Sequence, residues 1–235
     1  MNIVITGASK GLGRAIAEKF GEDKQGHGLF LCARNSEQLR AFALELQGRF
    51  PRTNVQYFVC DMSKQEEVQA FANWFLAFNV KLDVLVNNAG QFIPGSVHNE
   101  AAGALEKMIE VNLYSAYHLT RAVLPHMMEA RSGHIFNMCS IASLQAYSNG
   151  GAYSISKFAL AGFSKNLREE MKPYNIKVTS VYPGASYTDS WSGSGIDPKR
   201  IMEAGDVAAM IYAASYLSPQ ACMEEIILRP QLGDL

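Results

Sequence analysis

Ile3-Val4-Ile5-Thr6-Gly7-Ala8-Ser9-Lys10-Gly11-Leu12-Gly13-Arg14, running on into Ala15, Ile16, Ala17 and Phe20, is the stretch that decides the fold. It reads as a β-branched strand, a glycine turn and then small and apolar residues at helical spacing. Glycines allow a tight turn and close backbone approach, and the free N–H groups at a helix start can face a pyrophosphate. The spacing is G-x-x-x-G-x-G, not the G-x-G-x-x-G of the standard dinucleotide fingerprint. Taken alone, the stretch is therefore either an anion site or a turn set by packing.

Outward from it the same unit recurs. Apolar runs follow at Gly28 to Ala33, Val55 to Cys60, Asp83 to Val86, His134 to Cys139, Lys177 to Tyr182 and Glu225 to Arg229. With Ile3 to Thr6 they make seven expected strands. Each run is continuous rather than alternating, as in strands buried on both faces. Helical periodicity fills Gly11 to Asp23, Ser36 to Phe50, Lys64 to Phe78, Ala101 to Arg131, Ala152 to Tyr174 and Gly205 to Leu217. Strands alternating with helices imply right-handed crossovers and a doubly wound α/β fold of Rossmann type, a mainly parallel sheet with helices on both faces. Residues 1–235 read as a single domain for dinucleotide binding and catalysis, without repeat or linker. The one long loop, Ala185 to Arg200, carries Trp191, Gly193, Gly195 and Pro198, and is expected to be a short substrate lid.

Composition excludes other classes. The chain is 48% hydrophobic and 18% charged, an ordinary globular balance. Its 21 Lys plus Arg offset 22 Asp plus Glu, so no bulk positive field favours nucleic acid or anionic lipid. Cys32, Cys60, Cys139 and Cys222 are scattered, with no zinc-ligand or disulfide spacing, so no metal is expected. Such cysteine usage suits a reducing compartment, and a strand that begins at once leaves no room for a signal peptide. No apolar run reaches the ~20 residues of a membrane helix, so a cytoplasmic location is expected.

Where a doubly wound sheet reads the adenosine ribose, just after the second strand, stands Arg34 and no acid. A guanidinium can fork two hydrogen bonds onto a 2′-phosphate, and Lys10 adds a second charge nearby. Both favour NADP(H). Asp61 after the third strand and Asn88-Ala89-Gly90 after the fourth stand where strand ends line the ligand crevice, or else cap turns.

Tyr153 and Lys157 are four residues apart on one expected helix, so phenol and ammonium share a face about 6 Å apart. A free tyrosine, with a pKa of about 10, releases its proton reluctantly, and a nearby ammonium favours the phenolate. Tyr153 can then give a proton to a carbonyl oxygen, or take one from an alcohol. Ser140, at the end of the strand His134 to Cys139, can hold the same oxygen. Asn112 lies inside a helical stretch where Asn has poor propensity. It can anchor a water that leads protons to Lys157, or simply sit on an outer face.

Taken in order, Thr6 to Gly13, Asp61, Asn87-Asn88-Ala89-Gly90, Asn112, Ser140, Tyr153-x-x-x-Lys157, Pro183-Gly184 and Thr188 resemble the short-chain dehydrogenase/reductase family over practically the whole chain. The ending Glu224-Glu225-Ile226-Ile227-Leu228-Arg229-Pro230, with Gly233-Asp234, looks most like bacterial members of sepiapterin-reductase-like or 3-oxoacyl-carrier-protein-reductase-like type. The resemblance implies that Gly7, Ser9, Lys10, Gly11, Leu12 and Gly13 hold the pyrophosphate. It implies that Asp61 with Met62 meets the adenine, and that Asn88, Ala89 and Gly90 shape the adenosine side. It further implies that Lys157 binds the nicotinamide ribose while lowering the Tyr153 pKa, that Ser140 orients the carbonyl and that Asn112 maintains a proton relay. Pro183, Gly184 and Thr188 would lie against the nicotinamide.

The activity so implied is NADP(H)-dependent reduction of a ketone or aldehyde, with Tyr153 as proton donor. An NAD-linked alcohol dehydrogenase and a catalytically silent NADP(H)-binding regulator are the alternatives. Of the expected substrate-pocket positions, Gln91, Phe92, Ile93, Ile141, Gln145, Tyr147, Tyr187 and Trp191, none is charged. An aromatic or apolar carbonyl compound fits them better than a polyanion. The resemblance also implies a homodimer or homotetramer built on the two long helices, with a small molecule as the other partner.

Overall fold

The computed structural model describes residues 1–188 and 195–234. Seven strands form one sheet, all parallel: β1 (Asn2–Thr6), β2 (Gly28–Ala33), β3 (Asn54–Val59), β4 (Val84–Asn87), β5 (Gly133–Met138), β6 (Ile176–Pro183) and a C-terminal strand, Glu225–Leu228. Their spatial order is β3-β2-β1-β4-β5-β6 followed by the C-terminal strand. The order reverses between β1 and β4, and at that switch point the strand ends open a crevice.

Helices α1 (Gly11–Gly21), α2 (Ser36–Arg49) and α3 (Gln65–Leu76) follow the first three strands. Each keeps its apolar stripe toward the sheet, as with Ile16, Ala17 and Phe20 of α1, all fully buried. Burying side chains of this size contributes about 1.5–3 kcal/mol each. Asn35 caps α2 by accepting from the Gln38 amide, which starts the helix right after Arg34. One core cluster joins Ile3, Ile5, Phe20, Leu31 and Phe136 on one face of the sheet. The other joins Val4, Phe71, Phe75, Leu119 and Ile135 on the opposite face.

The helix expected over Ala101 to Arg131 starts three residues later and contains a π-helical turn. Gly103 adopts φ +82°, so helix α4 starts only at Ala104 and runs to Ile109. A π-helical turn, Glu110–Tyr114, then inserts its wider loop before α5 (Ser115–Ala130), which ends where Arg131 turns left-handed. Helix α6 spans Gly151–Met171. In the loop expected after β6, two short strands pair in parallel, β7 (Ser186–Tyr187) with β8 (Met202–Glu203). Helix α7 (Ala204–Ser215) follows and leads to the C-terminal strand, β9. Among the described residues no helix is long and apolar enough to cross a membrane.

Candidate active site

At the switch point the glycine turn joins β1 to α1, with Gly7 at φ +63° and Gly11 at φ +57°. A Cβ on Gly13 would lie 2.4 Å from the Gly7 carbonyl and 2.5 Å from Asn88 Nδ2, so only glycine fits there. Thr6 locks the turn to the next strand. Its Oγ1 accepts from the amides of Asn88 (2.9 Å) and Ala89 (2.8 Å). Asn88 Nδ2 in turn donates to the carbonyls of Thr6 and Gly7 at 2.8 and 3.1 Å.

The side chains of Lys10 and Arg34 are exposed at the mouth of this end. Asp61 stands close enough to Arg34 to feel its charge. Burial alone would push its carboxyl up, but the Ser63 amide and hydroxyl and the charges of Arg34 and Lys64 outweigh this and hold it low. The Met62 side chain is buried, and its sulfur accepts from the Cys32 and Cys60 thiols at 3.6 and 3.5 Å. Thr188 faces the glycine turn, 3.5 Å from where a Gly11 Cβ would be. Pro183 ends β6, and the Gly184 amide donates to the Leu228 carbonyl at 2.8 Å.

The chemical side lies at the ends of β4 and β5. Ser140 follows β5 and begins a 3₁₀ turn, its Oγ accepting from the Ala142 amide at 3.1 Å. Tyr153, on the first turn of α6, is placed beside it. Burial pushes the Tyr153 phenol up, and the Ser140 hydroxyl pulls it back down. Lys157 is buried, with Nζ 5.8 Å from the Tyr153 ring centroid and donating to the Met138 carbonyl at 2.7 Å. Burial lowers its ammonium to about 8. Burial is thus the main influence on the phenol, and one donor of Lys157 is engaged by a strand-end carbonyl.

Asn112 sits in the π-helical turn and is buried. Its Oδ1 accepts from the Gln91 amide at 2.7 Å, and its Nδ2 donates to the Gln91 carbonyl at 3.0 Å and to Ser156 Oγ at 2.9 Å. The amide group thus clamps a loop to helix α6. That accounts for an Asn at this point in the chain, and the widened turn leaves room for it. Ser156 carried no sequence signal, because its partner lies 44 positions away.

Of the expected pocket residues, Phe92 packs edge-on against Tyr153 with centroids 4.9 Å apart. Tyr147 is close enough for the two phenols to interact, and burial pushes it up to about 12. Ile141 and Gln145 share the turn after Ser140, where the Gln145 amide donates to the Ile141 carbonyl. Ile93 is at the edge of exposure. Tyr187 is placed differently: it lines a cleft of about 1080 Å³ with Met202, Met210 and Leu228, and a smaller one beside Gly11 and Thr188. Trp191, with residues 189–194 of the glycine-bearing loop, lies outside the described residues.

The donor set fits a phosphorylated dinucleotide: left-handed glycines before a helix start, two exposed cations, a carboxylate held ionised, and a buried ammonium beside a phenol. A parallel sheet with this order and this crevice is a doubly wound α/β fold of Rossmann type. The family model described as short chain dehydrogenase matches residues 1–197, and the chain belongs to that family. A sepiapterin reductase of Chlorobaculum tepidum is 31% identical over 99% of this chain and 97% of its own. A metagenomic short-chain oxidoreductase solved in complex with NADP is 33% identical, with a TM-score of 0.83 over 98% of this chain and 97% of that one. An alcohol dehydrogenase from the archaeon Thermococcus sibiricus, complexed with 5-hydroxy-NADP, is 28% identical, with a TM-score of 0.89 over 98% and 96%.

Proposed function

We propose that the protein is an NADP(H)-dependent reductase of a small ketone or aldehyde, with residues 1–235 acting as one cofactor-binding and catalytic unit. The observation that carries this reading is the convergence of Tyr153, Ser140 and Lys157 at the crevice. Gly7, Ser9, Lys10, Gly11, Leu12 and Gly13 would hold the pyrophosphate and Arg34 with Lys10 the 2′-phosphate. Asp61, Met62, Asn88, Ala89 and Gly90 would hold the adenosine part, with Met62 acting through its backbone because its side chain is buried. Pro183, Gly184 and Thr188 would flank the nicotinamide. NADPH, when bound, supplies the hydride.

The chain's own residues manage the proton and the carbonyl. Ser140 donates a hydrogen bond to the substrate oxygen and fixes its orientation. Tyr153 gives that oxygen its proton. Lys157 would hold the nicotinamide ribose with its remaining donors and favour the phenolate that remains. Asn112 keeps the loop at Gln91 against α6. Phe92 and Tyr147 give the substrate an aromatic, uncharged surround, consistent with an apolar or aromatic carbonyl compound. The NADP-bound structural relatives support the cofactor choice.

A homodimer or homotetramer in the cytoplasm completes the proposal. Exposed Tyr114, Ile155 and Phe158, at 48, 44 and 45%, supply apolar surface around α6 and the π turn for a second copy. The test follows NADPH absorbance while diketones, aromatic aldehydes, pterin ketones and acyl-thioester ketones are offered in turn, with NADH in parallel. NADPH oxidation with a clear best substrate is expected. Tight NADPH binding without turnover of any carbonyl would favour a dinucleotide sensor.

A further inference from the structure

Glu100 belongs to none of the motifs that carry the family resemblance. It is half-buried, and its Oε2 accepts from the Ala152 amide at 3.0 Å. That amide belongs to the first turn of α6, one residue before Tyr153. The N-cap residue of α6 is Gly150, which offers no side-chain acceptor, so the carboxylate fulfils that task from another segment. A carboxylate at a helix N-terminus also interacts favourably with the helix dipole. The fit is close: a Cβ on Gly151 would lie 2.4 Å from Glu100 Oε2 and 2.5 Å from the Gly95 carbonyl.

The segment 91–100 is therefore fastened at both ends. At its start Asn112 grips the Gln91 backbone on both sides. At its end Glu100 grips α6, and the Gly95 amide and Ser96 Oγ bond to Asn149 at 3.2 and 3.0 Å. Between the two fastenings stands Phe92, edge-on to Tyr153. Its distance from the phenol depends on the two anchors together.

We infer that Glu100 is a positioning residue: its carboxylate fixes the first turn of the catalytic helix against segment 91–100, and so sets where the Tyr153 phenol and the Phe92 ring meet the carbonyl substrate. The inference rests on Tyr153 being the proton donor. Glu100 has no assigned role toward substrate or cofactor, so the effect inferred for it is one of geometry alone. Misplacement of a reacting group by an ångström can cost a hundredfold.

The test compares Glu100→Gln, Glu100→Asp and Glu100→Ala with the wild type, using NADPH and the best carbonyl substrate of the panel. Gln keeps an acceptor at the same reach, whereas Asp withdraws the carboxylate by one bond of about 1.5 Å. The Gln variant is expected within about twofold of wild type, with the Ala152 amide still protected from hydrogen exchange. The Asp and Ala variants are expected to lose protection there, raise KM for the carbonyl and lower kcat, together by ten- to roughly a hundredfold. Their Kd for NADPH stays unchanged. Asp or Ala variants with a lower Tm but wild-type kcat and KM would reduce Glu100 to a structural cap and overturn the inference. So would a Gln variant as poor as Ala. A wild-type protein that binds NADPH but reduces nothing would instead overturn the reading of Tyr153 on which the inference stands.

Discussion

The two sides of the crevice are built in different ways. On the glycine-turn side, backbone meets backbone: Gly13 leaves no space for a single added carbon, and Thr6 with Asn88 ties neighbouring strands together over a few ångströms. On the chemical side, side chains from distant segments hold one another: Asn112 grips Gln91 and Ser156, Glu100 grips Ala152, and Lys157 reaches Met138. The first side is a rigid receptacle whose tolerance is steric. The second is a set of hydrogen bonds that can be removed one at a time, so its failures are graded and chemical. An oxidoreductase that must grip a large cofactor and adjust to a small substrate has use for both.

The sharpest way to separate the two sides is Tyr153→Phe. It removes only the proton donor, so turnover should fall about 10²- to 10⁴-fold while NADPH binding is retained. Turnover near wild type would show that the acid is another group. On the opposite side, Gly13→Ala forces an added carbon against the Gly7 carbonyl and Asn88. Overpacking of this kind costs about 1–3 kcal/mol, so NADPH affinity and Tm should fall together. A variant that binds NADPH normally would break the claim that this side is sterically set.

Arg34→Asp tests charge rather than space. Hydrogen bonds to charged groups contribute about 1.5–3 kcal/mol, so the ratio of NADPH to NADH efficiency should drop by roughly ten- to a hundredfold. An unmoved ratio would remove Arg34 from the 2′-phosphate site. The mildest probe is pH. Burial holds Lys157 at about 8, below its usual range, so in the free enzyme the ammonium is present below pH 8 and lost above it. The kcat/KM for carbonyl reduction, which reports free-enzyme ionisations, should fall above pH of about 8 by roughly tenfold per unit. A flat profile from pH 7 to 9 would mean that the ammonium is not required.

Much of the receptacle was legible because it is local. Strand, glycine turn and helix are consecutive, and all seven strand runs were bounded to within one residue of the observed ends. Arg34 and Asp61 follow strands directly, so a strand assignment places them. The long helical stretch was legible but its π turn was not, because that one-residue insertion goes with Asn112 bonding to Gln91, 21 positions away. Strands β7 and β8 were missed because two-residue strands carry no period. Tyr187 was expected in the substrate pocket; on β7 it lines the cleft with Met202 and Met210 and also the smaller one beside Gly11 and Thr188.

The sequence by itself determined the parallel doubly wound sheet, the glycine turn at its switch point and the Tyr153/Lys157 pair on one helix face, since each follows from spacing over a few residues. Only the tertiary structure decided that Asn112 is a clamp, that Glu100 caps the catalytic helix, that Phe92 lies on Tyr153 and that Lys157 is buried on a strand-end carbonyl. Those contacts join segments tens of residues apart, and chain closure over such distances is fixed by the packing of the whole sheet and not by any local preference.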